Sequence, residues 1–331
     1  PRVEDVEPVE TVNIETDLLV VGGGPAGLKA ALTAADQGMD VVLVDSHYRL
    51  GGQLVKQTHK FFGSKEYFGG KRGFQVAEEL SKKVLEHPRI RVYRSSEAYG
   101  FFDNKVVGVA VKYPKPLNLV VKADAIIAST GAMEKGLLFE NNDLPGVMGA
   151  GGAQTLMNEY GVRPGDKALV VGAGNVGLIV AYQLLQAGVK VEALVEIMPR
   201  IGGWFVHAAK LRRYGVPILT RHTIVKAIGE DRVEAAVITR VDENYRPIGG
   251  SEKKLDVDLV LISIGLTPDT RFFSQAGAAL KWIPELGGFT PIRTRYLETS
   301  IENMYVAGDA SGIEEATTAF IEGEIAALSA A

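Results

Sequence analysis

The strongest constraint on this chain is a glycine-punctuated strand, turn and helix that it carries twice, each time leading into a second apolar strand that ends in a carboxylate. The first copy runs Asp17-Leu-Leu-Val-Val-Gly22-Gly-Gly24-Pro25-Ala26-Gly27, continues through Leu28 to Gln37 and reaches Val41 to Asp45. The second runs Lys167-Ala-Leu-Val-Val-Gly172-Ala-Gly174-Asn175-Val176-Gly177, continues through Leu178 to Gln186 and reaches Val191 to Glu196. In such a unit the first glycine permits a tight bend, the second lets the backbone approach a diphosphate, and the third lets helix and strand pack closely. The diphosphate rests on unpaired amides at the positive end of the helix, and a carboxylate some twenty residues on accepts hydrogen bonds from ribose hydroxyls. Asp45 and Glu196 stand at that place. A lone glycine-rich turn also arises for purely structural reasons; here the strand, helix, second strand and carboxylate occur together, and two such sites call for two dinucleotides exchanging electrons.

The chain has no cysteine, which excludes within it a disulfide framework, a thiolate-held metal or iron–sulfur cluster, and a dithiol relay. Its five histidines, His47, His59, His87, His207 and His222, show no metal-ligand spacing, so no metal is expected. With 331 residues, 46% of them hydrophobic, it can build two well-buried cores, and a net charge of -4 gives no sign of nucleic-acid binding. No apolar run approaches the roughly 20 residues that cross a bilayer. The acidic start Pro1 to Glu10 is unlike a signal peptide, so a cytoplasmic location is the default expectation.

A repeat of about 130 to 150 residues organises the chain. After each glycine turn unit comes a third strand, Ile90 to Tyr93 and Val216 to Thr220. A hairpin with a charged turn follows, Phe102 to Lys105 before Val106 to Val111, and Gly229 to Arg232 before Val233 to Ile238. Each copy closes on a matching apolar strand, Asp124 to Gly131 and Asp258 to Gly265, of the uninterrupted kind that suits a parallel sheet covered on both faces. The remaining segment of about 65 residues is too short for a third domain. Its strand Asn303 to Asp309 and its helix from about Ala316 therefore return to the first sheet. The expected class is α/β with two Rossmann-like doubly wound domains: residues 1–134 and 266–331 form a discontinuous dinucleotide domain, which the resemblance described next makes the FAD domain, and residues 135–265 form a second nucleotide domain inserted into it.

On these residues the chain resembles the two-dinucleotide-binding-domain flavoproteins, the pyridine nucleotide-disulfide oxidoreductase superfamily with its thioredoxin reductase-like members. The resemblance covers nearly the whole length. It implies that the first turn holds FAD, that Gly51-Gly52-Gln53-Leu54 lies along the flavin edge, that Thr130-Gly131 matches the family's strand end, and that Gly308-Asp309 matches the turn whose aspartate binds a ribityl hydroxyl. The inserted domain would bind NAD(H) or NADP(H), with Gly265 beside the nicotinamide ribose. Glu196 would repel a 2′-phosphate and so favours NADH, although Arg200 lies close enough in sequence to soften that argument.

The departures matter equally. Thioredoxin reductases of this size carry a CxxC roughly where this chain reads Gln154 to Met157. The segment Asp143 to Gly152, followed by Tyr160 to Gly165, instead resembles flavin-and-nucleotide subunits of multi-subunit amine and amino-acid dehydrogenases, such as the α subunits of sarcosine oxidase and dye-linked proline dehydrogenase. Cysteine-free ferredoxin–NADP reductases of the thioredoxin reductase type are the other comparison. The expected activity is hydride movement between NADH and flavin, with electrons passed to an unidentified acceptor or partner protein and no disulfide involved. No catalytic side chain is required, because the cofactors carry the chemistry.

Two further features are left with two readings each. Glu315, Ala316 and Thr317 stand where relatives place a helix start facing flavin N1 and O2. Glu314 and Glu315 are then either simple first-turn acids or a means of lowering the flavin potential through Glu315. The basic, aromatic segment Val55 to Arg72 is either a loop over the flavin or a docking surface for an acidic partner that uses Lys60 and Lys65. Three functions remain open: an NADH oxidoreductase working as a homodimer or in a hetero-oligomer, a dehydrogenase subunit whose second site holds ATP or is redox-inert, and a nucleotide-sensing scaffold.

Overall fold

The structure, a computed structural model, describes residues 9–60, 63–102 and 105–331. The tip of the turn expected at Phe102 to Lys105, most of the acidic start, and Phe61 and Phe62 of the basic segment lie outside the described residues. The chain divides into two compact units, Pro1–Met133 with Thr267–Ala331, and Glu134–Leu266.

In the first unit strands β1 (Glu10–Val21), β2 (Val41–Val44), β3 (Ile90–Tyr93), β4 (Ser96–Phe102), β5 (Val106–Val111) and β6 (Leu117–Ala128) form one sheet in the order β3-β2-β1-β6-β5-β4. β1 and β6 run parallel from Glu10↔Leu117 to Val21↔Ala128, whereas β4, β5 and β6 form an antiparallel meander. The returning strand Met304–Val306 pairs parallel with the end of β6, from Met304↔Ile126 to Val306↔Ala128. Successive side chains of a strand point to opposite faces. Leu18 and Val20 thus join a core against helices α1 (Pro25–Asp36) and α2 (Gly73–Glu86) and the closing helix Ala316–Ala330, while Leu19 and Val21 join a second core with Phe272 and Phe273. The closing helix crosses the first turn of α1 at Gly323, where a Cβ would stand 2.2 Å from the Ala26 carbonyl oxygen.

In the second unit β7 (Val147–Gly149), β8 (Lys167–Val171), β9 (Lys190–Glu196), β10 (Ile218–Thr220) and β11 (Leu259–Ile262) form a parallel sheet ordered β10-β9-β8-β11-β7. Helices α3 (Ala150–Asn158), α4 (Asn175–Gln186) and α5 (Phe205–Arg213) build the core on one face. The other face is covered by a separate antiparallel sheet of His222–Ile228, Ala235–Arg240 and Lys253–Leu255. The two copies differ here in how the closing strand is built. β6 is one continuous strand that serves both parallel sheet and meander, whereas its counterpart breaks after Leu255. Within that break Asp258 turns its carboxylate onto the backbone N–H groups of Asp166 and Lys167.

Several expected strands are trimmed for readable reasons. Val216 to Thr220 contracts to Ile218–Thr220 because Pro217 has no N–H to offer a ladder. Val233 is held instead on the Pro145 carbonyl, so that strand starts at Ala235. Asn303 has a positive φ of 58°, and the final strand begins at Met304. No helix among the described residues is long and apolar enough to cross a membrane.

Candidate functional site

The three glycines of the first turn do different work. Gly22 has φ 103°, and a Cβ there would stand 2.3 Å from the Ser129 carbonyl oxygen; a Cβ at Gly27 would stand 1.8 Å from the Gly22 oxygen. Both are glycine because the fold leaves no room. Gly24 is unlike them: its nearest neighbour, Gly52 Cα, is 3.9 Å from the Cβ position. Among the described residues nothing occupies the space that this missing side chain leaves. The start of α1 is also left open, with Gly24 at the N-cap, no side-chain cap and no acidic residue in the first turn. Pro25, at the first helical position, costs no useful amide there, and the amides of Ala26 and Gly27 belong to the turn that has no intrahelical partner.

Asp45 closes one side of this turn. Its Oδ2 accepts the Gly23 N–H at 2.5 Å and its Oδ1 accepts the His47 N–H at 2.7 Å. Burial pushes its carboxyl above the usual carboxylate range, and the two amide bonds together with the His47 charge oppose that shift. Each oxygen keeps acceptor capacity for a ribose hydroxyl. Gly51 returns to the turn through its N–H to the Gly23 oxygen at 2.8 Å, and Gly52 lies so close that a Cβ would stand 2.8 Å from Gly24 Cα. Leu54 is wholly buried, which leaves Gln53 as the exposed side chain of that run.

The remaining expected residues of this site lie at the same strand ends. Thr130 donates to the Asp269 carbonyl at 2.8 Å and Gly131 accepts the Asp269 N–H at 2.9 Å, which ties the two chain segments of this unit together. Gly308 has φ 72° and stands against Ala26, whose Cβ would be 2.9 Å from a Cβ there. Its N–H donates to Glu322 Oε2 at 2.8 Å while the Ser311 hydroxyl donates to Glu322 Oε1 at 2.9 Å, with Arg293 3.8 Å away. Glu322 was not singled out by the sequence reading; a carboxylate inside the apolar run Phe320-Ile-Glu-Gly323 was the signal. Burial raises the Asp309 carboxyl, a charge at Glu314 raises it further, and the Glu314 amide, 3.4 Å from Oδ1, lowers it. Glu315 is the exposed N-cap of the closing helix and makes no capping bond, with Ala316 and Thr317 in the first turn.

Asp269 carries a pH-dependent prediction. Arg271 grips it at 2.9 and 2.6 Å and holds its carboxyl below the usual range. A depressed carboxylate contributes stability that is present above the unfolded pKa of about 4 and lost as pH falls through the lower folded value. Arg271→Ala is therefore expected to lower stability above about pH 4 and to converge with the native protein in more acid solution. Arg271 is largely exposed, so the effect is small. Urea unfolding at pH 3 and pH 7 measures the difference.

The second turn repeats the arrangement. Gly172 has φ 108° and its Cβ would stand 2.0 Å from the Ser263 oxygen; a Cβ at Gly177 would be 2.2 Å from the Gly172 oxygen. Gly174 meets nothing within 4 Å. α4 also starts without a side-chain cap or a first-turn acid, with Asn175, Val176 and Gly177 at its open end. Glu196 is buried and accepts the Ala173 N–H at 2.8 Å and the Met198 N–H at 3.0 Å. Gly265 has φ 122°, and its carbonyl accepts the Lys135 N–H at 3.0 Å. By contrast α3 is not open, because Glu134 accepts the Gly151 N–H at 2.7 Å. Gln154 sits within α3, buried and hydrogen-bonded to Gln183 at 3.0 Å.

The segment after the flavin-edge run packs onto helices. Tyr67 donates to Glu324 at 3.4 Å, Phe68 meets Phe320 edge-on at 5.5 Å, and Lys71 pairs with Glu79. Lys65 lies beside a groove that mixes Lys29, Lys71 and Lys83 with Glu66, Glu79 and Glu86, so the charge there has both signs.

The residues present fit two dinucleotides, because each turn pairs a Cβ-free space that no atom of the described residues fills with an uncapped helix start. Comparison with known proteins agrees. The chain is 30% identical to an opine oxidase subunit from Rhizobium meliloti, over 95% of this chain and 62% of that one. It is 29% identical to the sarcosine oxidase α subunit of Rhizobium meliloti (strain 1021), over 89% of this chain and 28% of that one. It therefore spans less than two thirds of those relatives. Among solved structures, L-proline dehydrogenase from P. horikoshii superposes with a TM-score of 0.71 at 26% identity, covering 97% of this chain and 56% of that one. The fold is also that of T. acidophilum thioredoxin reductase, with TM-score 0.73 at 21% identity, covering 96% and 97%. Residues 16–323 match one family across both units, and the chain belongs to it: the pyridine nucleotide-disulphide oxidoreductases, a family of FAD- and pyridine-nucleotide-binding proteins.

Proposed function

We propose that this chain is an FAD-dependent oxidoreductase that moves hydride between NADH and flavin and hands the electrons to a companion subunit or electron-transfer protein without a disulfide. The observation that carries the reading is the pair of vacant Cβ spaces at Gly24 and Gly174, each at the mouth of an uncapped helix. When bound, the two dinucleotides supply the redox chemistry. The chain's own residues bind and orient them. The open amides of α1 and α4 take the diphosphates, Asp45 and Glu196 take the adenosine riboses, and Asp309, held in place through Glu322, takes a ribityl hydroxyl.

Glu196 supports NADH over NADPH: it is buried with both oxygens on backbone amides, and a 2′-phosphate beside it would add charge repulsion. The absence of cysteine from the chain supports an acceptor reached without a thiol here. A companion subunit is supported by the relatives, which are themselves subunits of opine and sarcosine oxidases. Anaerobic mixing with NADH tests the reading. Bleaching of the flavin band by NADH, with NADPH at least tenfold slower, is expected. Binding of NADH without bleaching would favour the second reading, a dehydrogenase subunit whose second site holds ATP or another redox-inert nucleotide.

A further inference from the structure

The internal repeat extends past the carboxylate of each unit. Asp45 is followed by four residues and then Leu50-Gly51-Gly52, and Glu196 by four residues and then Ile201-Gly202-Gly203. Both loops fold back onto their glycine turn in the same way. Gly51 donates to the Gly23 oxygen at 2.8 Å; Gly202 and Gly203 donate to the Ala173 oxygen at 3.1 and 2.9 Å. A Cβ on Gly52 would stand 2.8 Å from Gly24 Cα, and one on Gly203 would stand 2.8 Å from Gly174 C and Asn175 N. The second glycine of each pair is thus pressed against the very residue whose missing side chain leaves the diphosphate space.

Immediately beyond, the copies part. Gln53 is followed by Leu54 and Val55, which are 0% and 8% exposed, whereas Trp204, Phe205 and Val206 are 62%, 69% and 51% exposed. The backbone of Trp204 is nonetheless fixed, its N–H donating to Asn175 Oδ1 at 2.8 Å on the first helical residue of the turn. The indole belongs to neither core cluster of its unit, so packing does not account for a large aromatic at this place. Stacking does: a flat heteroaromatic base gains contact energy against a tryptophan face, and exposure of the indole before binding is what such a contact requires.

We infer that Trp204 is a contact residue for the second nucleotide, its indole lying against a planar ring of the adenine dinucleotide whose diphosphate sits on the Gly172 to Gly177 turn. This rests on the proposed function only in taking that turn as a nucleotide site. Trp204→Leu is expected to weaken NAD binding about five- to 150-fold with FAD content unchanged, and Trp204→Phe to retain most of the affinity. Titration calorimetry of the FAD-loaded protein with NAD and with ADP-ribose, which lacks nicotinamide, reads this directly. Loss with both ligands places the indole on adenine, and loss with NAD alone places it on nicotinamide. Fluorescence adds a second readout, since NAD should quench the native emission and not that of Trp204→Phe, where Trp282 is the one remaining tryptophan. If native protein binds NAD and Trp204→Leu binds it equally well, the inference is overturned while the site reading stands. If native protein binds neither ligand, both fall.

Discussion

Gly24→Ala is expected to yield a folded protein with a weakened hold on its FAD. The backbone at Gly24, φ -75° and ψ -171°, is one that any residue adopts, and the new methyl would meet no protein atom closer than 3.9 Å. Replacing glycine at an unstrained position stabilises a fold by about 0.4–1 kcal/mol through the unfolded chain, while alanine is a poorer N-cap than glycine, so the two effects oppose and the apoprotein should melt close to native apoprotein. The methyl instead occupies the space reserved for the diphosphate. An overpacking cost of about 1–3 kcal/mol corresponds to roughly a five- to 150-fold loss of FAD affinity. Gly27→Ala separates this effect from folding. Its Cβ would stand 1.8 Å from the Gly22 oxygen, and it should lower the melting temperature of the apoprotein itself. Absorbance of the purified variants and melting of their apo forms check both outcomes.

The second large effect is its counterpart in the other unit. Gly174 has φ -72° and ψ 177°, and a Cβ there meets nothing within 4 Å, so the Gly174→Ala protein should fold, stay yellow and keep its FAD. Its affinity for NADH should fall by the same roughly five- to 150-fold, and anaerobic bleaching at low NADH should slow in proportion. Gly177→Ala should again act on folding, because its Cβ would stand 2.2 Å from the Gly172 oxygen. Stopped-flow bleaching against NADH concentration distinguishes a binding loss, which saturation restores, from a slower transfer step, which saturation leaves.

The glycine turns, their helices and the carboxylates were legible because each depends on a short stretch of chain. A buried apolar strand, a turn that only glycine can make and a helix start are all written locally, and β3 and β5 appear with the expected residues. What stayed hidden depends on contacts between distant segments. The sequence does not say that Gly24 and Gly27 are glycine for opposite reasons, since the distinction lies in which atoms surround each Cβ. The break at Asp258 that gives the second unit a separate covering sheet is invisible in a repeat of apolar runs. It arises because the carboxylate finds the Asp166 and Lys167 amides some 90 positions earlier. Glu322 likewise reads as an ordinary helical acid until the fold brings Gly308 and Ser311 to it. The basic segment has one glutamate of its own, Glu66, and the further acids that balance it, Glu79 and Glu86, are brought to it by α2.

Whether the first turn holds an FAD diphosphate is tested most directly by a reconstitution titration: protein stripped of small molecules, then titrated with FAD and read by absorbance and calorimetry. One FAD per chain, bound tightly and competed weakly by ADP, is the result expected. Protein that remains colourless and takes up no FAD at micromolar concentration would contradict it.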